Sequence, residues 1–484
     1  MHTISGQTLR TRGWKFILPA VLFCAAMAQA QTVTPLADFN KSIGGGVGSP
    51  LIQGLDGNFY GTAGDSGIGD HGAVLVATSS GTLTDLVSFC KAKTCPTGAN
   101  PYLSLLQVSN GDFFGFTLGL SVNGTTNGTL FRVSPAGVIN NLHTFCASTC
   151  TDGQLPRANL IQARNGYLYG TTNAGGTSHN AGTIFKMTTA GTLTTVYDFC
   201  ALTNCTDGSS PLGFGSLIQA TDGNLYGTTR TGGGRGFGTV YQLSPSGTLK
   251  TLYKFCRVGG CLDGTNPVGL VQGLDGDFYG VTTEGGTHGY GEVFKMNRYG
   301  LLTVVYSFCS QTGCADGIGP TGLFLGSDGN FYGTTANITS NGAVPNTIFR
   351  VTPAGAYTLL YSTDLDTLSS VLSVMQSTDG NFYGTSNLGG ANNLGTFFKI
   401  STGLGPFVKA LRPYGDIGQT AYILGTGLTG STSVTFNGTA AKSFTVVSDS
   451  EITAVIPAGA TTGSLQVATP GGTLSSTVEF QVFQ

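Results

Sequence analysis

Four short runs set the pattern of this chain: "SLIQA" at 216–220, "NLYGTT" at 224–229, "GTVYQLS" at 238–244 and "TLKTLYKF" at 248–255. Each is rich in aliphatic, aromatic and β-branched residues, is too short for a helix, and is bounded by turn residues. The Asp-Gly at 222–223 separates the first two runs and predicts a two-residue hairpin turn with positive φ angles. "PSG" at 245–247 turns the third run into the fourth. Together they predict one four-stranded antiparallel sheet. Beyond residue 30 no stretch carries a helical period.

The unit recurs. Asp-Gly or Asn-Gly falls at Asp56, Asn110, Asn165, Asp222, Asp275, Asp328 and Asp379, at spacings of 51 to 57 residues. Four strands at such a period predict a propeller blade. Seven copies begin, but the last stops after its third run, "GTFFKIS" at 395–401. The missing run is found at the other end, because "TVTPLADF" at 32–39 reads like "TLTTVYDF" at 192–199. A ring left open would expose two sheet edges, and borrowing the N-terminal strand closes it. The predicted fold is all-β: a seven-bladed β-propeller over 31–405, closed by an N-terminal strand.

Two positions inside the unit have a structural and a functional reading. The aromatic-Gly pair of the second run (Tyr60-Gly61, Phe114-Gly115, Tyr169-Gly170, Tyr226-Gly227, Tyr279-Gly280, Tyr332-Gly333, Tyr383-Gly384) is expected to pack between blades. An aromatic ligand platform is the alternative. A Gln precedes the turn by three residues at Gln53, Gln107, Gln162, Gln219, Gln272 and Gln376, with Leu325 in the sixth copy. Its amide is expected to satisfy backbone groups of the next blade; a ligand-binding ring of amides is the alternative.

After residue 30, ten cysteines form five local pairs: Cys90/Cys95, Cys146/Cys150, Cys200/Cys205, Cys256/Cys261 and Cys309/Cys314. Each pair lies in the loop that leads into the next blade. Disulfides are expected, since two thiolates per loop cannot complete a tetrahedral metal site. Asp152, Asp207, Asp263 and Asp316 follow the second cysteine, each ahead of a Gly. They predict turn chemistry first, and a carboxylate ring for calcium or sugar hydroxyls second. His71, His179 and His288 fall on alternate copies, too far apart to share one metal ion.

Arg10, Arg12 and Lys15 precede the apolar run "FILPAVLFCAAMA", which ends at the small-residue site "AQA" at 28–30. This predicts a cleaved signal peptide over 1–30 and export of the remainder. No other stretch approaches the length of a membrane span, so none is expected in the mature chain. With 22 Lys+Arg against 24 Asp+Glu and 10% charged residues, no positive field exists to hold nucleic acid. The 77 glycines fit many tight turns.

The phrase "DGNLYGTT…GG…GTVYQLSPSGTLKTLYKF" resembles the GloVer-type tandem repeat of exported bacterial proteins, over about residues 32–402. The resemblance implies a secreted repeat array and transfers no reaction. Residues 406–484 differ: "TAYILG", "SVTFNG", "EITAVIP", "SLQVAT" and "VEFQV" alternate without cysteines. With "GDIGQTAYILGTGL" and "VIPAGATTGSLQVATPGG", this part resembles an IPT/TIG immunoglobulin-like β-sandwich. That resemblance implies a spacer or adhesive module.

These readings point to an exported or cell-surface binding protein for an extracellular polysaccharide or surface protein. A structural surface protein without a specific ligand and a glycan-cleaving enzyme are the alternatives. Trp14 is the one tryptophan, so the signatures of quinoprotein, WD and kelch propellers are missing after residue 30. No catalytic, cofactor-binding or metal-ligating residue is identified. Glu284 and Glu292 read as solvated carboxylates. Loops between second and third runs vary most and are expected to share one end of the molecule with the cysteine loops. Ligand contacts are expected there, with Asn123, His179, Arg235, Glu284 and Asn341 as candidates.

Overall fold

The structure is a computed structural model and describes residues 2, 31–45, 49–64, 71–90, 95, 97–119, 127–212, 217–336, 344–363 and 371–484. Apart from His2, the signal-peptide reading of 1–30 lies outside these residues, as do Asn123 and Asn341.

Each repeat copy folds as one four-stranded antiparallel sheet in chain order. The fourth copy runs Leu217–Gln219, Leu225–Thr229, Thr239–Leu243 and Leu249–Lys254. In the third copy the first strand is split into Gln154–Pro156 and Ile161–Gln162, which both pair with Leu168–Ala174. The last sheet is completed from the far end of the chain. Thr32–Asp38 lies antiparallel on Thr396–Ser401, from Thr32 opposite Ser401 to Asp38 opposite Thr396. That pairing supplies the fourth strand the seventh copy lacks.

Burial explains how the sheets assemble. Second strands such as Phe59–Ala63, Leu225–Thr229 and Phe331–Thr335 are buried at every position. Successive side chains of a strand point to opposite faces, so both faces of each sheet are covered there. The cover is the neighbouring sheet. The Tyr60 ring lies 4.2 Å from Phe113, Tyr226 lies 4.2 Å from Phe278, and Tyr279 lies 4.0 Å from Phe331. Tyr332 meets Phe382 edge-on at 4.6 Å, and Tyr383 stacks on Phe59 at 4.3 Å, joining last copy to first. Where an aliphatic side chain replaces an aromatic one the two sheets still share a core, as with Tyr169 and Leu225. Such pairs contribute about 0.5–1.5 kcal/mol each beyond the area they bury.

The glycine after each aromatic residue has a different partner from the one expected. A Cβ on Gly170 would sit 2.6 Å from the Phe185 ring, on the third strand of the same sheet. The close approach is therefore within the sheet rather than between sheets. The register between third and fourth strands also slips at one recurring place, as at Ile184/Phe185, Val240/Tyr241 and Val293/Phe294. A bulge there adds twist to the outer strand.

The Asp-Gly turns depart from the two-residue form. Gly54 N–H donates to Asn58 O and Gly57 N–H to Gly54 O, and only Gly57 of the Asp56-Gly57 pair has positive φ, at 83°. This is a three-residue connection ending in a left-handed glycine. Asp is selected for its carboxylate: Oδ1 of Asp56 accepts the Asn58 N–H at 3.1 Å, and Oδ2 accepts the Tyr60 hydroxyl at 2.8 Å. Tyr226–Asp222, Tyr279–Asp275 and Tyr332–Asp328 repeat the hydroxyl bond at 2.8 Å.

Three cysteine segments are not plain loop, which corrects the expectation for Cys205, Cys261 and Cys314. Each closes a single turn of 3-10 helix: Thr203–Cys205, Gly259–Cys261 and Thr312–Cys314. The Cys314 N–H donates to Gln311 O at 2.9 Å, and Gly317 N–H donates to Cys314 O at 2.8 Å. The Cys309 N–H then donates to Gly317 O at 3.2 Å, closing the segment with Cys314 beside Cys309. Both cysteines are left-handed, with φ of 61° at Cys309 and 55° at Cys314. Turns this short have no period to read in the sequence.

From Lys409 onward two further four-stranded sheets form, with a two-stranded parallel pair of Tyr414–Asp416 and Gln481–Phe483 beside them. Lys409–Ala410, Thr420–Leu424, Glu451–Val455 and Ser443–Val446 make one; Thr439–Ala440, Ser433–Phe436, Leu465–Thr469 and Gly472–Ser475 make the other. Ile423 and Ile452 from the first share a core with Val434, Phe436 and Val467 from the second.

Candidate functional site

The glutamines close the sheets against one another at the Asp-Gly end. Gln107 Oε1 accepts the Leu55 N–H at 2.9 Å, Gln219 that of Arg164 at 2.9 Å, Gln272 that of Thr221 at 3.0 Å, and Gln376 that of Ser327 at 2.7 Å. In each case the glutamine reaches the turn of the preceding copy, while its Nε2 donates to a carbonyl of its own turn, as Gln219 does to Gly223 at 2.9 Å. These amides serve the scaffold; Gln107 and Gln376 are buried, where a polar group must be paired.

The C-terminal sheets lie over that end. Ser450 Oγ donates to Leu55 O at 2.9 Å, Tyr414 Oη to Gln162 O at 2.8 Å, and the Thr378 and Thr426 hydroxyls meet at 2.8 Å. The Arg164 guanidinium stands 4.4 Å from the centre of the Phe483 ring. Between the two parts is a cavity of about 500 Å³, lined among others by Leu105, Phe324, Met375, Lys409, Leu411 and Phe480. Burial pushes the Lys409 amine down to about 8. Sequence reading missed this site, because its two walls come from parts of the chain with unrelated patterns.

The opposite end carries the loops. The Gly233 N–H donates to Cys205 O at 2.8 Å, Gly176 to Cys150 O at 2.8 Å, and Gly286 to Cys261 O at 2.9 Å. Loops between second and third strands therefore do lie against the cysteine loops, at one end. The pairs Cys90/Cys95, Cys146/Cys150, Cys200/Cys205, Cys256/Cys261 and Cys309/Cys314 are at disulfide distance, with Cα separations of 3.8 to 4.4 Å. Among the described residues one metal-like cluster occurs, His71 with Cys90 and Cys95. Its two sulfurs lie at disulfide distance from each other, and that bond removes the thiolates a metal would need.

The acidic residue that follows four of the five pairs organises its loop. Asp207 Oδ2 accepts the Ala201 N–H at 2.9 Å and the Tyr197 hydroxyl at 2.8 Å. Asp263 holds Arg257 N–H and Tyr253, both at 2.8 Å, and Asp316 holds Ser310 N–H and Tyr306 at 2.9 and 2.7 Å. Burial first, then the carboxylate, holds the Tyr197 and Tyr253 hydroxyls well above their ordinary range. Asp152 instead meets His143 Nε2 at 2.8 Å. These are the turn bonds expected first of these carboxylates.

The predicted contact residues are spread over this end. His179 is exposed on its loop with φ of 54°, and Glu284 is exposed at the end of Phe278–Glu284. Arg235 is exposed, donates to Cys256 O at 3.0 Å, and lines a cleft of about 350 Å³ that also includes Lys254 and Arg257. The structure brings these three cations together; it does not bring His179 or Glu284 to them. Glu292 corrects the reading of a solvated carboxylate: it is 0% exposed. It occupies the position that is Thr183 or Thr239 in neighbouring copies, and its Oε1 accepts Ser307 Oγ at 3.0 Å while Oε2 has no partner. Burial raises its carboxyl to about 7, against the Ser307 bond and with help from the nearby Asp263.

The repeat can be placed in a family. The model described as the Gloeobacter/Verrucomicrobia repeat matches residues 21–179, 91–261, 149–315 and 259–447. The chain belongs to this repeat family. No curated protein matches its sequence. A gluconolactonase from Xanthomonas campestris is similar at 12% identity and a TM-score of 0.36, over 77% of this chain and 98% of that one. A protein of unknown function from Bacteroides thetaiotaomicron is similar at 13% identity and a TM-score of 0.41, over 77% of this chain and 76% of that one. At those scores neither similarity carries an argument for this repeat chain. Among the described residues no helix is long and apolar enough to cross a membrane.

Proposed function

We propose that this repeat chain is an exported binding protein whose loop end holds an extracellular polymer. The sheets are read as a seven-bladed propeller over 31–405, stapled by five loop disulfides. Residues 406–484 are read as an immunoglobulin-like IPT/TIG module that caps the Asp-Gly end. The observation that carries the functional reading is the cleft where Arg235, Lys254 and Arg257 converge. Three cations in one cleft, with Arg able to grip a carboxylate through two parallel hydrogen bonds, favour an acidic polysaccharide over a neutral one. The cap supports the same choice of end, since Ser450, Thr426 and Tyr414 occupy the other.

Retention on immobilised polygalacturonate and on neutral cellulose tests this. The parent should be retained on the acidic polymer and released by salt, and a folded Arg235→Ala/Lys254→Ala/Arg257→Ala variant should elute about tenfold earlier. Equal retention of parent and variant would sink the assignment.

A further inference from the structure

The cavity at the capped end has a composition that the loop-end reading leaves unused. Its volume of about 500 Å³ falls in the range of small-molecule sites. Most of its wall is hydrocarbon, from Leu105, Phe324, Met375, Leu411 and Phe480 among others. Among the described residues Lys409 is the one ionisable residue lining it; Arg412 on the adjoining segment and Glu451, two strands across the sheet, are outside the lining. The Lys409 amine makes no hydrogen bond or ion pair among the described residues. The glutamines of the wall are already committed, Gln53 to Thr378, Gln107 to Leu55 and Gln376 to Ser327.

We propose that this cavity binds a small amphipathic anion, an apolar body bearing one carboxylate, with Lys409 as its counter-ion. Lys409 is half-buried, with its charge on a largely hydrocarbon cavity that water reaches, so an anion with an apolar body would gain both the ion pair and the burial there. With the amine at about 8, Lys409 stays mostly protonated at neutral pH and can pair with a carboxylate. A neutral sugar is a poorer match, because most of its hydroxyls would face hydrocarbon side chains. The site is separate from the loop-end cleft and does not depend on what that cleft binds.

Calorimetric titration of the whole chain with decanoate and with 1-decanol is the test. At neutral pH decanoate should bind once per chain and more tightly than the alcohol. Lys409→Met should weaken decanoate by about tenfold or more and leave decanol unchanged. In the parent, decanoate affinity should also fall by about tenfold from pH 7 to pH 9.5 as the amine loses its proton, while decanol stays level. That pH series decides the matter should the Met variant fail to fold. Absence of decanoate binding, equal affinity in parent and Lys409→Met, or a pH-independent decanoate affinity in the parent each overturns the proposal. Retention on polygalacturonate should be the same in parent and Lys409→Met, which separates this site from the loop end.

Discussion

Gln53 and Thr378 stand at opposite ends of the repeat array and bond to each other twice. The Thr378 N–H donates to Gln53 Oε1 at 3.0 Å, and Gln53 Nε2 donates to Thr378 Oγ1 at 3.1 Å. The same pair of copies is joined by the Tyr383–Phe59 stack and by the pairing of Thr32–Asp38 with Thr396–Ser401. First and last sheets are thus tied by backbone, ring and amide.

Gln53 is buried at this junction, whereas Gln272 is only half-buried and makes the equivalent bond to the exposed Thr221. Gln53→Leu would leave the Thr378 N–H without its acceptor and should lower stability by about 1–3 kcal/mol. Gln272→Leu should lower it by less than about 1 kcal/mol, since water can replace the amide. Urea denaturation of both variants gives the comparison, and equal losses would contradict the importance of the closing bond.

Deleting residues 32–39 removes the outer strand of the last sheet and bares the ladder edge of Thr396–Ser401. Exposed edges pair with other chains, so the deleted protein should aggregate or unfold without a single cooperative transition. Light scattering and a melting curve identical to those of the parent would rule the closure out.

The five cysteine pairs are separated by four or five residues. Intact-mass analysis of the protein without reductant, after production in an oxidising compartment, should therefore show it ten hydrogens lighter than the reduced chain. Peptide mapping should place each bridge within one loop, Cys309 with Cys314 among them. A bridge between two loops, or free thiols, would refute local pairing.

Glu292 makes stability depend on pH. Its carboxyl rises from 4.5 to about 7 on folding, so between those values the folded protein holds more protons than the unfolded chain. Stability should fall as pH rises through that window and stay low above it. Glu292→Gln keeps a polar group for Ser307 and removes the buried charge; near pH 8 it should gain roughly 2 kcal/mol, discounted for local relaxation. Melting temperatures at pH 5 and pH 8 distinguish the two proteins: a variant whose melting temperature still drops with pH like the parent's would exclude Glu292 as the source.

The repeat itself was legible in the chain because it is a local pattern. Strand runs, Asp-Gly turns and cysteine spacing are set by neighbours within one copy, and seven copies in register amplify a signal that one copy would leave weak. Even the closing strand could be read, since "TVTPLADF" keeps the pattern of the strand it replaces. Glu292 was not legible. On the sequence it is one more loop-flanking carboxylate, and only the sheets stacked around it deny it water. The turn type was misread for a related reason: Asp-Gly allows several connections, and the Tyr60 hydroxyl waiting for Asp56 helps fix which one forms. The two clefts lie furthest from the sequence. Arg235, Lys254 and Arg257 converge through the folding of a loop onto an adjacent strand and cysteine loop, and Lys409 acquires its surroundings from strands more than three hundred residues earlier, such as Ile52–Gln53. Periodicity records which face of a strand is covered; what covers it is decided when distant segments pack, because burial and charge act through space and not along the chain.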